Sequence, residues 1–198
     1  MLGPGTAPAV TMRGERMSTS QPTTGDQVCQ KYGLAPSEFA ALSAAERALF
    51  RAAYAADELQ VVEVPRGSNH GPDVDRYLIA AGAEPGEPWC AAFWTCMLLD
   101  SGVGRSELPE LAASVHGWLD WAKHKGVAQS NPDRAYAGLI IETPTTGHLV
   151  AITSVNGNRV STIEGNTNKG GSREGYGVFR RTRPISQFRC FVDCSSLK

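Results

Sequence analysis

The stretch PWCAAFW, residues 88–94, decides the fold that we expect for this chain. It places Cys90 at the start of an apolar run that continues to Leu99 and is typical of a helix buried inside a domain. Pro88 favours a helix start, because the N–H that it lacks would have no partner there. The unpaired N–H groups and the positive dipole at that end favour a thiolate over a thiol. Cys90 is therefore a candidate nucleophile with a lowered pKa, the alternative being a cysteine that only packs in the core.

A second motif offers partners for this thiol. Two β-branched runs lie on either side of residues 156–158, Asn-Gly-Asn, and this pattern predicts a hairpin. If all three residues form the loop, His148 lies opposite Asn166, with Glu164 diagonally placed on the same face. If only the first two form the loop, the register slips by one residue and Glu164 points away. We favour the three-residue loop, because asparagine tolerates the left-handed conformation needed at its end.

These residues supply the groups that thiol catalysis requires. A thiolate needs a base beside it, and the base needs a third group to orient it. Cys90 is the candidate nucleophile, His148 the candidate general base and acid, and Glu164 or Asn166 the candidate orienting group. The N–H groups near Cys90 are candidates for an oxyanion hole.

At these positions the chain resembles CHAP domains, the cysteine, histidine-dependent amidohydrolases/peptidases related to NlpC/P60 enzymes. The resemblance rests on three motifs in the family order, WCAAF at 89–93, Gly147-His148 and EGN at 164–166. The stretch GSNHGP at 67–72 is also similar to the segment leading into the cysteine in one subgroup. Together they cover roughly residues 61–185, and a set of three ordered motifs is fairly specific.

The resemblance implies an α+β fold of the papain-like type, in which the helix bearing the cysteine packs against an antiparallel sheet. It also implies cleavage of amide bonds in peptidoglycan, either as an N-acetylmuramoyl-L-alanine amidase or as a peptidase on stem peptides or cross-bridges. By the same resemblance Cys90 is the nucleophile, His148 the general base, Glu164 the orienting acid and Asn166 an auxiliary polar residue. No cofactor is implied.

Three further residues are candidates for substrate binding. Trp89 precedes the nucleophile, and Asn69 and His70 lie in the loop of the GSNHGP stretch. Loops carry function more often than their share of the chain, so His70 is a candidate for the cleft near Cys90. His116 and His124 are expected to be ordinary surface or boundary residues.

Composition divides the chain into three parts. Residues 1–25 are rich in Gly, Pro, Ser and Thr and are predicted to be a disordered tail. Residues 26–60 are predicted to be an N-terminal helical extension that packs on the catalytic domain, the alternative being a surface for a delivery or immunity protein. Residues 61–198 form the predicted catalytic domain. A capping box at 43–46 and helices at about 72–81 and 114–125 complete the expected helices.

Charge and motifs exclude several classes of function. The net charge is −1, which argues against a protein dedicated to binding nucleic acid or an anionic membrane. Arg180, Arg181 and Arg183 are expected to be a solvated strand end rather than a binding patch. Neither nucleotide-binding nor metal-binding motifs occur, so we expect no metal and no cofactor.

The chain shows no apolar run long enough to span a bilayer and no apolar segment typical of a secretory signal. We therefore expect a protein made in the cytoplasm that acts in the periplasm or at the cell wall after delivery, either as a phage lysin or as a secreted antibacterial effector. Five cysteines leave an odd count, and a disulfide from Cys194 to Cys29 or Cys190 is an option in an oxidising space.

Two other functions stay open at this stage. The same catalytic residues suit a thiol peptidase acting on a protein or a small peptide. A non-catalytic module that binds wall fragments or another protein is the third interpretation.

Overall fold

A computed structural model describes residues 20–133, 136–170 and 175–198. Within these ranges the chain is an α+β protein, as the sequence predicts. The helices are α1 (Gly25–Tyr32), α2 (Pro36–Ala41), α3 (Ala44–Tyr54), α4 (Pro72–Ala81), α5 (Cys90–Asp100) and α6 (Val115–Lys125). A π-helical turn (Ala55–Leu59) follows α3, and short 3₁₀ turns lie at Arg105–Glu107 and Ile185–Gln187.

The helices begin and end at the residues that the capping rules select. Ser43 accepts the Glu46 N–H while the Glu46 carboxylate accepts the Ser43 N–H, which is the predicted capping box of α3. Helices α4 and α6 end at Gly82 and Gly126, each with a positive φ that favours glycine. The predicted positions of these helices are confirmed.

The strands form one antiparallel sheet of six. They are β1 (Ala128–Gln129), β2 (Ala137–Ile141), β3 (Gly147–Asn156), β4 (Arg159–Thr167), β5 (Gly177–Pro184) and β6 (Cys190–Val192). The strand order is β1-β6-β2-β3-β4-β5, so β3 and β4 lie inside the sheet with a neighbour on each side. The candidate histidine and carboxylate are therefore on interior strands.

The turn between β3 and β4 differs from the predicted one. Asn156 pairs with Arg159, so the turn holds two residues, Gly157 and Asn158, and neither of the loops expected from the sequence forms. Gly157 takes the positive φ of 58°, as the first central residue of a type II′ turn does, and this removes the need for a left-handed asparagine. A β-bulge between Ile152 and Ser154 then shifts the register by one residue.

The bulge restores the register that the site requires. Beyond it Ile152 pairs with Thr162 and Ala151 with Ile163. These are the partners that the favoured three-residue loop predicts. From the pair of Ile152 and Thr162, Glu164 lies two residues further along β4 and His148 lies four residues back along β3. Both distances are even, so the same register puts the two side chains on one face.

Helix α5 lies at the centre of the core. It is buried almost all round and contacts α3, α4 and α6 as well as β3 and β4. The buried alanines of α3, among them Ala48 and Ala52, belong to the same apolar cluster. The far face of the sheet has its own small cluster around Val160 and Phe191.

The N-terminal segment is only partly within the described residues. Residues 1–19, most of the predicted tail, lie outside them. Thr24 caps α1, and Gly25 is its first residue. Helices α1 and α2 share a small cluster with Val28 and Phe39, and α3 packs on the rest of the protein.

All five cysteines are free thiols, so neither of the disulfides considered from the sequence forms here. Among the described residues, no helix has both the length and the apolar character that crossing a membrane demands.

Candidate active site

Cys90 is the first residue of α5, and Trp89 occupies the N-cap position. The thiol is 5% exposed. Burial by itself raises the pKa of Cys90, but the charge of His148 and the N–H groups of Leu149 and Ala91 outweigh it and bring the pKa below the ordinary 9.0. Helix α5 thus begins at Cys90 as predicted, and the pKa of the thiol is lowered as predicted. The imidazole of His148 contributes more to this lowering than the N–H groups do.

His148 lies near the start of β3, and its side chain is almost fully buried. Its Nε2 lies 3.1 Å from Oε2 of Glu164 on β4. Burial by itself lowers the pKa of His148, but Cys90 and Glu164 outweigh this and raise it to about 9. The structure therefore brings Cys90, His148 and Glu164 together in the predicted order.

The remaining ring nitrogen of His148, Nδ1, is the one left for the thiol. It is buried and makes no hydrogen bond of good geometry to any described residue. The charges of Cys90 and His148 nevertheless act on each other. A nucleophile and its base are often without a well-aligned hydrogen bond before substrate binds.

Glu164 is fully buried and is held by more than the histidine. Arg183 on β5 donates from Nε to Oε1 at 2.7 Å and from a terminal nitrogen to Oε2 at 2.6 Å, and the Thr162 hydroxyl donates to Oε1 at 2.5 Å. Burial by itself raises the pKa of Glu164, but Arg183 and His148 outweigh it and lower the pKa to about 2. Glu164 is therefore a carboxylate at any ordinary pH.

Arg183 is a functional residue that the sequence did not reveal. We expected it to be a solvated strand end with Arg180 and Arg181, and that expectation is wrong for Arg183, whose side chain is mostly buried against Glu164. Arg180 pairs instead with Asp57. An alternating strand pattern was the only available signal, and it does not identify which arginine meets the carboxylate across the sheet.

The side chain of Asn166 bonds Gly175 and Trp89. It is buried with a positive φ of 52°. In the amide orientation that satisfies both ends, its nitrogen donates to the Gly175 carbonyl at 3.1 Å and its oxygen accepts from the Trp89 N–H at 3.2 Å. Glu164 is thus the orienting group of the two candidates, and Asn166 holds the residue before the nucleophile.

The three candidate substrate-binding residues contact other residues of the protein. The Trp89 side chain is fully buried and donates to Glu63, so it supports the site from inside. The Asn69 amide donates to the Gly86 carbonyl, and His70 contacts Asp75. None of the three lines the cleft that opens at Cys90.

That cleft has a volume of about 460 Å³. One wall is residues 81–88, the other is residues 110–116, and residues 145–147 close one end, with Cys90 between them. Its charged lining residues are Glu84, Glu87 and Glu110, and His116 from α6 also lines it. His116 was expected to be an ordinary boundary residue, and spacing along α6 alone could not place it in this cleft.

No group of three or more His, Cys, Asp or Glu side chains within the described ranges is arranged to hold a metal ion. An activated thiol, a buried imidazole and a carboxylate suit nucleophilic attack on a carbonyl carbon.

Comparison with known proteins adds no relative. No protein-family model, curated protein or solved structure matches the chain.

Proposed function

We propose that this protein is a thiol hydrolase of amide bonds with a papain-like fold and Cys90 as its nucleophile. The observation that carries the proposal is the line of three buried groups, in which Cys90 has a lowered pKa, His148 a raised one, and Glu164 bonds the far nitrogen of the imidazole. A thiolate paired with an imidazolium is ready both to attack and to protonate a leaving group.

The reaction follows from these positions. The Cys90 thiolate attacks the carbonyl carbon of the amide, and the carbonyl oxygen takes up negative charge. The first N–H groups of α5 have no partner within the helix and are suited to stabilise that oxyanion. His148 gives its proton to the leaving amine as the C–N bond breaks and the thioester forms. It then takes a proton from the water that attacks the thioester, and the C–S bond breaks to release the acid and restore the Cys90 thiolate beside the His148 imidazolium.

For substrate we propose an amide bond in the peptide part of bacterial peptidoglycan. The support is the resemblance of the three sequence motifs to CHAP domains, together with the cleft at Cys90. The cleft has a volume of about 460 Å³, and its carboxylates Glu84, Glu87 and Glu110 suit a chain that carries amino groups. Such an enzyme works in the periplasm or at the cell wall after delivery, as a phage lysin or a secreted effector, where a delivery or immunity protein is a suitable partner.

The test uses purified protein and isolated peptidoglycan. Wild-type protein should release soluble fragments, and Cys90→Ala and His148→Ala should each abolish the release. Cys29→Ala is the matched control, because Cys29 is a buried thiol in α1, within a separate cluster, and should leave the release unchanged. Mass spectrometry of the fragments distinguishes an amidase from an endopeptidase.

Full release by either site variant would refute the thiol mechanism. If wild-type protein releases nothing from peptidoglycan yet cleaves a protein or a small peptide in a Cys90-dependent way, the mechanism stands and the cell-wall substrate is wrong. If Cys90 supports neither reaction, the non-catalytic binding module is favoured.

A further inference from the structure

Glu63 is a buried carboxylate that the proposed chemistry does not use. It lies 3% exposed on the extended segment before α4, where its own N–H donates to the Tyr176 carbonyl at 2.8 Å. One carboxylate oxygen accepts from the indole N–H of Trp89 at 2.9 Å, and the other accepts from the Gly67 N–H at 2.7 Å. A buried carboxylate is costly unless it is well bonded, so these two contacts are strongly maintained.

Trp89 is fixed at two points as a result. Its indole is held by Glu63, and its backbone N–H donates to the Asn166 amide oxygen. Its ring is fully buried and packs near Tyr77, with centroids 6.1 Å apart. Trp89 is also the N-cap of α5 and the residue bonded directly to Cys90.

We propose that Glu63 is a positioning residue for the nucleophile and acts through Trp89. The N-cap conformation sets where the first turn of α5 begins, and hence where the Cys90 sulfur lies relative to His148. Because the interaction of the thiol with the imidazole depends on the separation of the two groups, a small shift changes its strength, and a misplacement of about 1 Å can reduce a catalytic rate about 100-fold. This inference rests on the proposed thiol chemistry but not on the identity of the substrate.

The experiment measures how fast iodoacetamide alkylates Cys90 across a pH series, with each cysteine quantified by peptide mass spectrometry. Glu63→Gln keeps the shape but has a single acceptor oxygen, so one of the two bonds is lost. Trp89→Phe removes the indole N–H and leaves the Gly67 contact in place. We expect each variant to slow alkylation of Cys90 about tenfold at neutral pH and to move its pH midpoint upward. In hydrolysis, kcat should fall while KM changes little.

The double variant, Glu63→Gln with Trp89→Phe, tests whether Glu63 acts on Cys90 through Trp89. If Glu63 acts through Trp89, the double variant alkylates no more slowly than the slower single variant. Slowing equal to the product of the two single effects would show that Glu63 acts by another route and would overturn the proposal.

Asp100→Asn is the control that distinguishes a positioning role of Glu63 from a purely structural one. Asp100 lies at the opposite end of α5 and pairs with Arg76 at 2.8 Å in a largely buried setting. This variant should lower Tm without changing the alkylation of Cys90. Unchanged alkylation in Glu63→Gln and Trp89→Phe, with lowered Tm, would reduce Glu63 to a structural contact.

The outcomes also keep the two proposals apart. If wild-type Cys90 reacts no faster than Cys29, no activated thiol exists, and both proposals fall. If Cys90 is reactive but peptidoglycan is not cleaved, only the substrate is wrong, and the alkylation series still decides the role of Glu63.

Discussion

At the scale of single residues, the candidate site depends on how Glu164 is kept ionised inside the protein. A buried carboxylate facing a histidine alone would carry a large desolvation penalty. Arg183 offsets that penalty with two parallel hydrogen bonds, the geometry for which a guanidinium is suited. The imidazole is then oriented by a carboxylate whose charge does not depend on the protonation state of His148.

Replacing Arg183 with methionine should therefore damage both stability and chemistry. Glu164 would remain buried without its main cation, so its pKa should rise, and the free energy of unfolding should fall by about 3–5 kcal/mol. Alkylation of Cys90 should slow, because a less charged Glu164 stabilises the imidazolium less. Urea unfolding and iodoacetamide labelling measure the two effects.

Arg180→Met is the matched control on the same strand. Arg180 bonds Asp57 with comparable distances, but both side chains are substantially exposed. Exposed pairs contribute about 0–1 kcal/mol, so this variant should change little. Equal losses from the two variants would show that the buried setting of Arg183 has no special role.

At the scale of elements, the site is made by the close approach of β4 to the start of α5. Gly165, between Glu164 and Asn166, allows it. A Cβ at this position would lie 2.7 Å from Cβ of Phe93 and 2.9 Å from the Trp89 ring. The glycine of the EGN motif is thus required by packing against the helix that carries the nucleophile.

Gly165→Ala should push β4 and α5 apart at the site. Overpacking of this kind costs about 1–3 kcal/mol of stability, and the shift should also slow alkylation of Cys90. Gly104→Ala is the control, since its added Cβ would meet only ordinary contacts, the nearest at 3.7 Å. Denaturant unfolding together with labelling measures both. If Gly165→Ala labels as fast as wild type, the close approach does not position the thiol.

The elements also show how far the sequence could predict this structure. Helix starts and ends were predictable, because Ser43, Gly82 and Gly126 act through local caps. The hairpin was predictable, but its two-residue turn and its bulge were not. The turn and the bulge each shift the pairing of β3 with β4 by one residue in opposite directions, so the predicted pairing is restored beyond the bulge and Glu164 lies on the predicted face.

The contacts that the sequence could not predict are those between distant segments. Arg183 meets Glu164 across neighbouring strands, and Glu63 meets Trp89 from a segment 26 residues earlier. Nothing in the local pattern around either residue specifies its partner. The motif residues were found because a helix start marks Cys90 and the two strands of one hairpin carry His148 and Glu164. The residues that support them appear only once the chain is folded.

At the scale of the whole molecule, the catalytic helix and the N-terminal helices are not independent. Helix α3 packs its buried alanines into the cluster that also contains α5, and the guanidinium of Arg47 on α3 bonds the carbonyl of Ser101, which follows α5. Loss of order around Cys90 should therefore be coupled to the global unfolding of this core. Ionisation of the site then contributes directly to overall stability.

The pH dependence of stability is the test at this scale. The folded-state pKa of Glu164, about 2, lies below its ordinary value of 4.5. Its stabilising contribution is therefore complete above pH 4.5 and is lost as the pH falls through about 2. The difference in unfolding free energy between wild type and Glu164→Gln should accordingly shrink as the pH falls from 4.5 toward 2, as measured by urea unfolding over a pH series.

At higher pH the stability depends on two opposite pKa shifts, the raised pKa of His148 and the lowered pKa of Cys90. His148, with its pKa raised from 6.5 to about 9, contributes stability that is complete below pH 6.5 and is lost as the pH rises through 9. Cys90, with a lowered pKa, contributes in the opposite sense, complete above 9.0 and lost as the pH falls through its folded value. In the folded protein a thiolate–imidazolium pair holds one proton, on His148. In the unfolded chain between pH 6.5 and 9 the same two groups also hold one proton, on the Cys90 thiol, because the imidazole is neutral. The two contributions therefore oppose each other between pH 6.5 and 9, and wild-type stability should vary less there than the shift of His148 alone would produce. A slope as steep as that of one full proton, measured by urea unfolding, would show that the thiol does not offset the imidazole.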